Sequence, residues 1–305
     1  METMSLFSLI FSVVLLIALG YVSRVTKLLK RDDSAVLNNI IVYLALPALI
    51  FLAIRNSEIS LNFLLIPLVG WVVMLGCAAI AFLLSRIFNL KRPTIGAFLL
   101  AAAIGNTGYI GYPLSLAFGG QSFLVRAIFF DIFGTVLFAF TVGLYFAEVY
   151  GANGQKIHKI KEILTFPPLI ALFFGLVLHD LDLPLFFLKS LEYLSAAAVP
   201  LIMISVGLSL QFKKLGEYKL LLFLLCGIKL ILSPALAYCV GKMVSLPPIS
   251  LNVVVLEASM PIALLAFIIG LKYELDVDFL PVAIAIATLM SMVTVPIWQC
   301  VIALL

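Results

Sequence analysis

Ten apolar stretches of membrane length follow one another along this chain with only short polar joints between them, and two of the ten are broken in the middle. Gly105-Asn106-Thr107-Gly108-Tyr109-Ile110-Gly111-Tyr112-Pro113 interrupts one, and Glu257-Ala258-Ser259-Met260-Pro261 interrupts its counterpart in the second half. Each apolar stretch is long enough to cross roughly 30 Å of hydrocarbon as a helix. Lipid offers no partners for free backbone N–H and C=O groups, so helices are the default and a break survives only where it lines a protein-enclosed cavity. Of the 305 residues 64% are hydrophobic and 11% charged, against roughly a quarter charged in an average soluble domain, which excludes a soluble fold. The expected fold class is an all-α polytopic membrane protein.

The spans are placed at 5–22, 36–54, 62–86, 95–118, 123–149, 164–180, 190–210, 218–243, 247–270 and 278–303, with an interfacial piece at Pro184–Phe187 behind the short sixth. The first is not a signal peptide, because its leading side carries Glu2 and its basic cluster, Arg24, Lys27, Lys30 and Arg31, follows it. Loops after the odd-numbered spans hold 14 of the 19 Lys and Arg residues. Positive loops face the cytoplasm, so both termini are expected outside, in the plasma or cell inner membrane. The formal net charge of +4 is spread over loops and leaves no nucleic-acid footprint. Cys77, Cys226, Cys239 and Cys300 sit in apolar runs without metal-ligand spacing and read as small buried hydrophobes, and His158 and His179 fall in loops or at span ends.

The halves look alike. Span two carries Pro47 and span seven Pro200; Pro113 follows Pro47 by 66 positions and Pro261 follows Pro200 by 61. A duplicated five-helix unit enters the membrane with opposite orientation the second time, which gives two inverted repeats with broken helices in spans four and nine. Paired breaks in inverted repeats point to a carrier's substrate site near the bilayer midplane. The joint at about Tyr150–Glu162 reads as a short cytoplasmic linker.

At the first break, glycines free the backbone, Pro113 removes a donor, and Asn106, Thr107, Gly108 and Tyr109 offer polar groups where a half-helix N-terminus suits a carboxylate. At the second, Ser259, Met260 and Pro261 surround non-helical backbone. Glu257 is the lone acid of its span, and an intramembrane charge costs at least about 2.5–3.5 kcal/mol at a helix centre. Three readings stay open for it: an ion pair with Lys229, a proton carrier, or a Na+ ligand with Asn106, Thr107, Asp131 and Thr135. Asp131 and Thr135 share a helical face in span five, with Arg126 near enough to pair with Asp131 instead. Ser205, Ser209 and Gln211 are weaker signals of helix packing.

These residues resemble the auxin efflux carrier family of permeases. The Gly105–Tyr109 run reaching Pro113, the Glu257–Pro261 run, Lys272-Tyr273, Leu46-Pro47-Ala48-Leu49-Ile50-Phe51 and Gly207-Leu208-Ser209-Leu210 carry the likeness across essentially the whole chain. The resemblance implies a ten-helix inverted-repeat fold like that of bile-acid sodium symporters. It implies scaffold helices in 1–60 and 164–212, a moving transport domain in 61–150 and 213–305 whose broken helices cross, the linker at 151–163, and a homodimer through the scaffold helices. It also implies a small organic anion as substrate, Asn106 and Thr107 at the crossover, and Glu257 where symporter relatives bind Na+, with Na+ or H+ both open and no other cofactor.

Two readings compete with a carrier. A ligand sensor would use the same cavity without transport. A membrane-embedded lipid enzyme would need clustered acids, and the nearest approach is Asp276 and Asp278, which lack evident partners in the sequence.

Overall fold

The computed structural model describes residues 3–30, 32–152, 164–179, 181–212 and 214–304. The linker expected at 151–163, with His158, lies almost wholly outside the described residues. Twelve helical segments account for nearly all the rest. They are α1 (Thr3–Val25), α2 (Asp33–Arg55), α3 (Asn62–Ile87), α4 (Arg92–Ala103), α5 (107–118), α6 (121–150), α7 (Pro167–Val177), α8 (Leu185–Ser209), α9 (Lys219–Met243), α10 (Pro248–Ala258), α11 (Leu264–Lys272) and α12 (Phe279–Leu304). Helices α5 and α6 form one run, Thr107–Tyr150, divided where Gly119 and Gly120 leave helical geometry. Gly120 has φ of 59°, a conformation that glycine adopts without strain.

Among the described residues six helical runs are long and apolar enough to cross a membrane: α2, α3, α5 with α6, α8, α9 and α12. Phe11–Val25 of α1, α4, α7 and α10 are shorter apolar helices. Large apolar side chains stay exposed on outward faces, such as Leu68, Val72, Leu75 and Leu83 on α3 and Ile231 on α9. Such continuous apolar surface suits lipid rather than water. The chain is an integral membrane protein.

Several boundaries move. The sixth span shortens to α7, and the expected interfacial piece at Pro184–Phe187 is the N-terminal end of α8, with Pro184 as its cap. At the N-cap the backbone is not yet helical (φ −56°, ψ 136°), and no intrahelical bond needs the N–H that Pro184 lacks. Cys239 and Cys300 are exposed on helix exteriors, so only Cys77 and Cys226 are buried hydrophobes. Asp276 and Asp278 have partners after all: Asp276 accepts from Thr94 Oγ1 (2.8 Å), Tyr218 OH (3.0 Å) and the Phe279 amide (3.0 Å), capping α12, while Asp278 pairs with Lys214 (2.6 Å).

Packing divides by neighbour. Helix α1 lies mainly against α8, and α2 against α7 and α8; α3 packs on α4, α6 and α9, and α10 on α9. The contact of α1 with α8 is backbone to backbone, since a Cβ on Gly20 would strike the Ile204 carbonyl and one on Gly207 the Ile17 carbonyl. Small residues permit that approach in lipid, where van der Waals contact replaces the hydrophobic drive. Arg24 then donates to the terminal carbonyls of Leu208 (2.9 Å) and Leu210.

Among the described residues five short stretches are wound as π-helix: 41–45, 107–111, 130–136, 139–143 and 227–232. A π turn carries an extra residue and is frequent at functional sites. The two tryptophans each serve one such turn, Trp71 Nε1 donating to Phe133 O and Trp298 Nε1 to Leu230 O, both at 2.9 Å.

Candidate functional site

The two breaks meet. Helix α4 ends at Ala103, Ile104 turns extended, and the chain re-enters a helix at Thr107; helix α10 ends at Ala258 and the chain is helical again from Leu264. Pro261 enforces the second gap, because it lacks an N–H and pushes Met260 away from helical backbone. Between the gaps the strands pair antiparallel, Gly105 opposite Ile262, with Asn106 N donating to Pro261 O (2.7 Å) and Ala263 N to Ile104 O (3.1 Å). Each break satisfies backbone groups that the other would leave bare in lipid. The first break is narrower than the motif suggested, so Gly108, Gly111 and Pro113 belong to α5.

On one side of the paired strands lies a cavity of about 330 Å³. Gly105, Asn106, Thr107, Gly108, Tyr109 and Tyr112 line it from the first break and α5, and Ala263, Leu264 and Leu265 from the second. Asp131, Thr135 and Phe140 come from α6, Asn38, Asn39 and Tyr43 from α2, and Phe166 precedes α7. The first N–H groups of a helix have no intrahelical partner and carry the positive end of its dipole. Two such ends, at Thr107–Tyr109 and at Leu264–Leu265, border the same cavity.

On the other side is a gap of about 10 Å³, room for about one water. Ala103 and Ala258, the last residues of α4 and α10, line it together with Thr107, Thr135, Lys229 and Glu257. The half-helices thus turn their positive ends to the large cavity and their negative ends to the small gap.

Three charged side chains are buried around this pairing. Asp131 accepts from Thr107 Oγ1 (2.5 Å) and Tyr112 OH (2.7 Å). Its suggested pairing with Arg126 is absent: Arg126 donates to Ser122 and Ser250 and lies over the Phe63 ring, 4.5 Å from its centroid. Glu257 has no solvent exposure; its Oε1 accepts from Ser115 Oγ (2.7 Å), and Oε2 has no hydrogen-bond partner. Lys229 is buried in the π turn of α9, and among the described residues no ion pair joins it to Glu257 or Asp131.

The glycines of the first motif make room for these charges one by one. A Cβ on Gly105 would come within 2.9 Å of Lys229 Nζ, one on Gly108 within 3.1 Å of Asp131 Oδ2, and one on Gly111 would fall on the Glu257 carboxylate. Spaced three apart, they hold three helices' charged side chains against one backbone.

Of the residues singled out in the sequence, Asn106, Thr107, Gly108, Tyr109, Asp131 and Thr135 share the large cavity, and Thr107, Thr135, Glu257 and Lys229 share the small gap. Ser259, Met260, Pro261 and Pro113 are buried behind the lining; Ser259 Oγ donates to Leu256 O (2.6 Å). Asn38, Asn39, Tyr112 and Phe140 line the cavity as well, and Ser115 holds Glu257; of these only Tyr112 lies within the first motif. Adjacent amides in an apolar span were a readable signal, and Asn38 Oδ1 accepts from Ser205 Oγ (2.7 Å), which gives that serine a positioning contact.

The donor set bears on whether sodium could sit here. Na+ needs several oxygens together, and the orphaned Glu257 Oε2 and Thr135 Oγ1 are of the right kind. The same gap admits a lysine, and both Asp131 oxygens already accept from neighbours. The residues do not fit a Na+ ion.

Broken helices that pair beside a cavity lined by apolar walls and a few polar groups, in a molecule whose described residues are almost all helical and face lipid, describe a membrane transporter. The profile of the family described as "Membrane transport protein" matches residues 5–299. The chain belongs to this family, that of the auxin efflux carriers. It is 37% identical over 301 residues to an uncharacterized transporter of Methanocaldococcus jannaschii, covering 94% of this chain and 95% of that one. It is 35% identical over 295 residues to an uncharacterized transporter of Methanothermobacter thermautotrophicus, covering 96% and 97%. A Rhizobium meliloti protein named "Putative malonate transporter" is 30% identical over 295 residues, covering 92% and 90%. With the family and these relatives named as transporters, the lipid-enzyme reading falls: the chain is not an enzyme.

Proposed function

We propose that this protein is a secondary carrier of a small organic anion, with a dicarboxylate of malonate size as the leading class. The convergence of two helix N-termini on one 330 Å³ cavity carries the reading, since both present unpaired N–H groups and positive dipole to the same space. Asn38, Asn39 and Asn106 supply further donors, and Tyr109, Phe140 and Phe166 an apolar wall. The relative named for malonate agrees with a small carboxylate.

The fold reading that goes with it is ten spans in two inverted repeats, α4 with α5 and α10 with α11 each counting as one broken span. The exchange of partners supports it, α1 lying on α8 and α2 on α7, as a two-fold between repeats would generate. The same packing supports α1, α2, α7 and α8 as a scaffold against which the rest moves as an elevator, and the Lys and Arg distribution along the loops supports a plasma-membrane orientation with both termini outside. Glu257 and Asp131 carry the coupling charge, and an acid beside an anion site gives a coupling cation a place to act.

Counterflow in proteoliposomes tests the carrier. Labelled malonate and related acids should exchange, and Asn106→Ala should abolish most of the exchange. Neither exchange nor binding of any small organic acid would refute the proposal, and binding without exchange would favour the sensor. Glu257→Gln should alter the pH dependence of transport; an unchanged dependence removes Glu257 from coupling.

A further inference from the structure

We infer that the Lys229 ammonium is the resident cation of this carrier, held where the ends of two half-helices would otherwise hold Na+, so that transport needs no sodium. The inference rests on the carrier reading for its consequence, though not for its geometry. Helices α4 and α10 both end at the small gap, and helix C-termini carry partial negative charge; at α10 the last carbonyls are already engaged, Glu257 O by Met260 N and Ala258 O by Ser233 Oγ, so the dipole rather than free oxygens acts there. In broken-helix carriers such ends are where a coupling cation is coordinated. Here Glu257 adds a carboxyl group with Oε2 unbonded, and Thr135 adds a hydroxyl with no partner, both buried.

With Glu257, Thr135 and Lys229 all buried, a pocket of this sign must contain a positive charge or lose its own. Lys229 supplies it. Its Nζ lies against Gly105, the residue that pairs with Ile262 in the second break, so the charge sits beneath the point where both breaks cross. Among the described residues Lys229 has no direct carboxylate contact, and the gap between is the size of one water. The ammonium therefore answers the whole pocket, two helix ends and one acid, rather than a single partner. Its tether is covalent, so it neither dissociates nor crosses the bilayer as a co-substrate.

The test reads cation binding by thermal stability of the detergent-solubilised protein in NaCl against choline chloride, without any substrate. The native protein should show the same Tm in both salts. Lys229→Ala opens the pocket, and Na+ at a hundredfold its dissociation constant should then raise Tm by about 5–10 °C; adding Glu257→Gln should remove that response. Sodium stabilisation of the native protein, lost in Glu257→Gln, would overturn the inference, as would a folded Lys229→Ala indifferent to Na+. If Lys229→Ala folds only in Na+ the inference stands; if it folds in neither salt, Lys229→Gln takes its place, a rise of Tm in Na+ supporting the inference and indifference to Na+ overturning it. None of these readouts depends on transport, so failure of the carrier reading would show separately in the counterflow assay.

Discussion

Replacing Gly111 with alanine opposes two physical expectations whose signs differ. Gly111 has helical backbone (φ −63°, ψ −47°), so alanine there should stabilise by about 0.8–1.0 kcal/mol on helix propensity alone. The added Cβ, however, would fall on the Glu257 carboxylate, which is fully buried and held by Ser115. Overpacking of this kind costs about 1–3 kcal/mol, and loss of the hydroxyl-to-carboxylate bond about 1.5–3 kcal/mol more if the carboxylate is driven away. The clash wins, and Gly111→Ala should lower stability by about 1–4 kcal/mol. Thermal unfolding in detergent is the assay, arranged as a double-mutant cycle with Glu257→Ala. In the Glu257→Ala background the obstacle is gone and Gly111→Ala should become neutral or stabilising, a coupling of about 2 kcal/mol or more. Equal cost in both backgrounds, or no cost in the native protein, would refute the packing of Glu257 against Gly111.

Thr107→Val and Tyr112→Phe each remove one of the two side-chain donors to Asp131, and each should cost about 1.5–3 kcal/mol in thermal unfolding, with the pair non-additive because one carboxylate is shared. Asn38→Ala and Ser205→Ala should weaken substrate binding by a similar factor, about tenfold, measured as KM in proteoliposomes, because the serine hydroxyl orients the asparagine that lines the cavity. Asp276→Ala should destabilise by about 1–3 kcal/mol through loss of the α12 cap and the Thr94 and Tyr218 bonds, whereas Lys214→Ala, at an exposed pair, should leave Tm unchanged. Burial and the neighbouring Asp276 carboxylate push the Tyr218 phenol up, so this hydroxyl stays a donor at neutral pH.

Hydropathy and charge made the helical membrane fold legible, because lipid leaves a chain so few ways to satisfy its backbone. The breaks were legible for the same reason, and Glu257, Asp131 and Lys229 stood out as charges among apolar residues. What the sequence hid is set by rotation and by distance along the chain. π turns at 107–111, 130–136 and 227–232 re-aim Thr107, Asp131 and Lys229, and an extra residue in a turn leaves no mark in an apolar run. The glycine spacing was visible at 105, 108 and 111, but its meaning required partners from α6, α9 and α10. Ser259 and Met260 drew attention by lying next to Pro261; the helix that follows starts at Leu264, so its N-terminal amides, and the cavity, lie a turn further on.

The antiparallel pairing of the breaks also sets an order of assembly. Asn106 donates to Pro261, and Ala263, which donates to Ile104, is made 157 residues after Asn106. At about 5–20 residues per second, synthesis takes roughly 10–30 s to deliver that partner. For that interval the backbone groups of Ile104 and Asn106 that pair with the second break lack those partners. A truncation before residue 263 would leave the first break without the bond that Ala263 makes to Ile104.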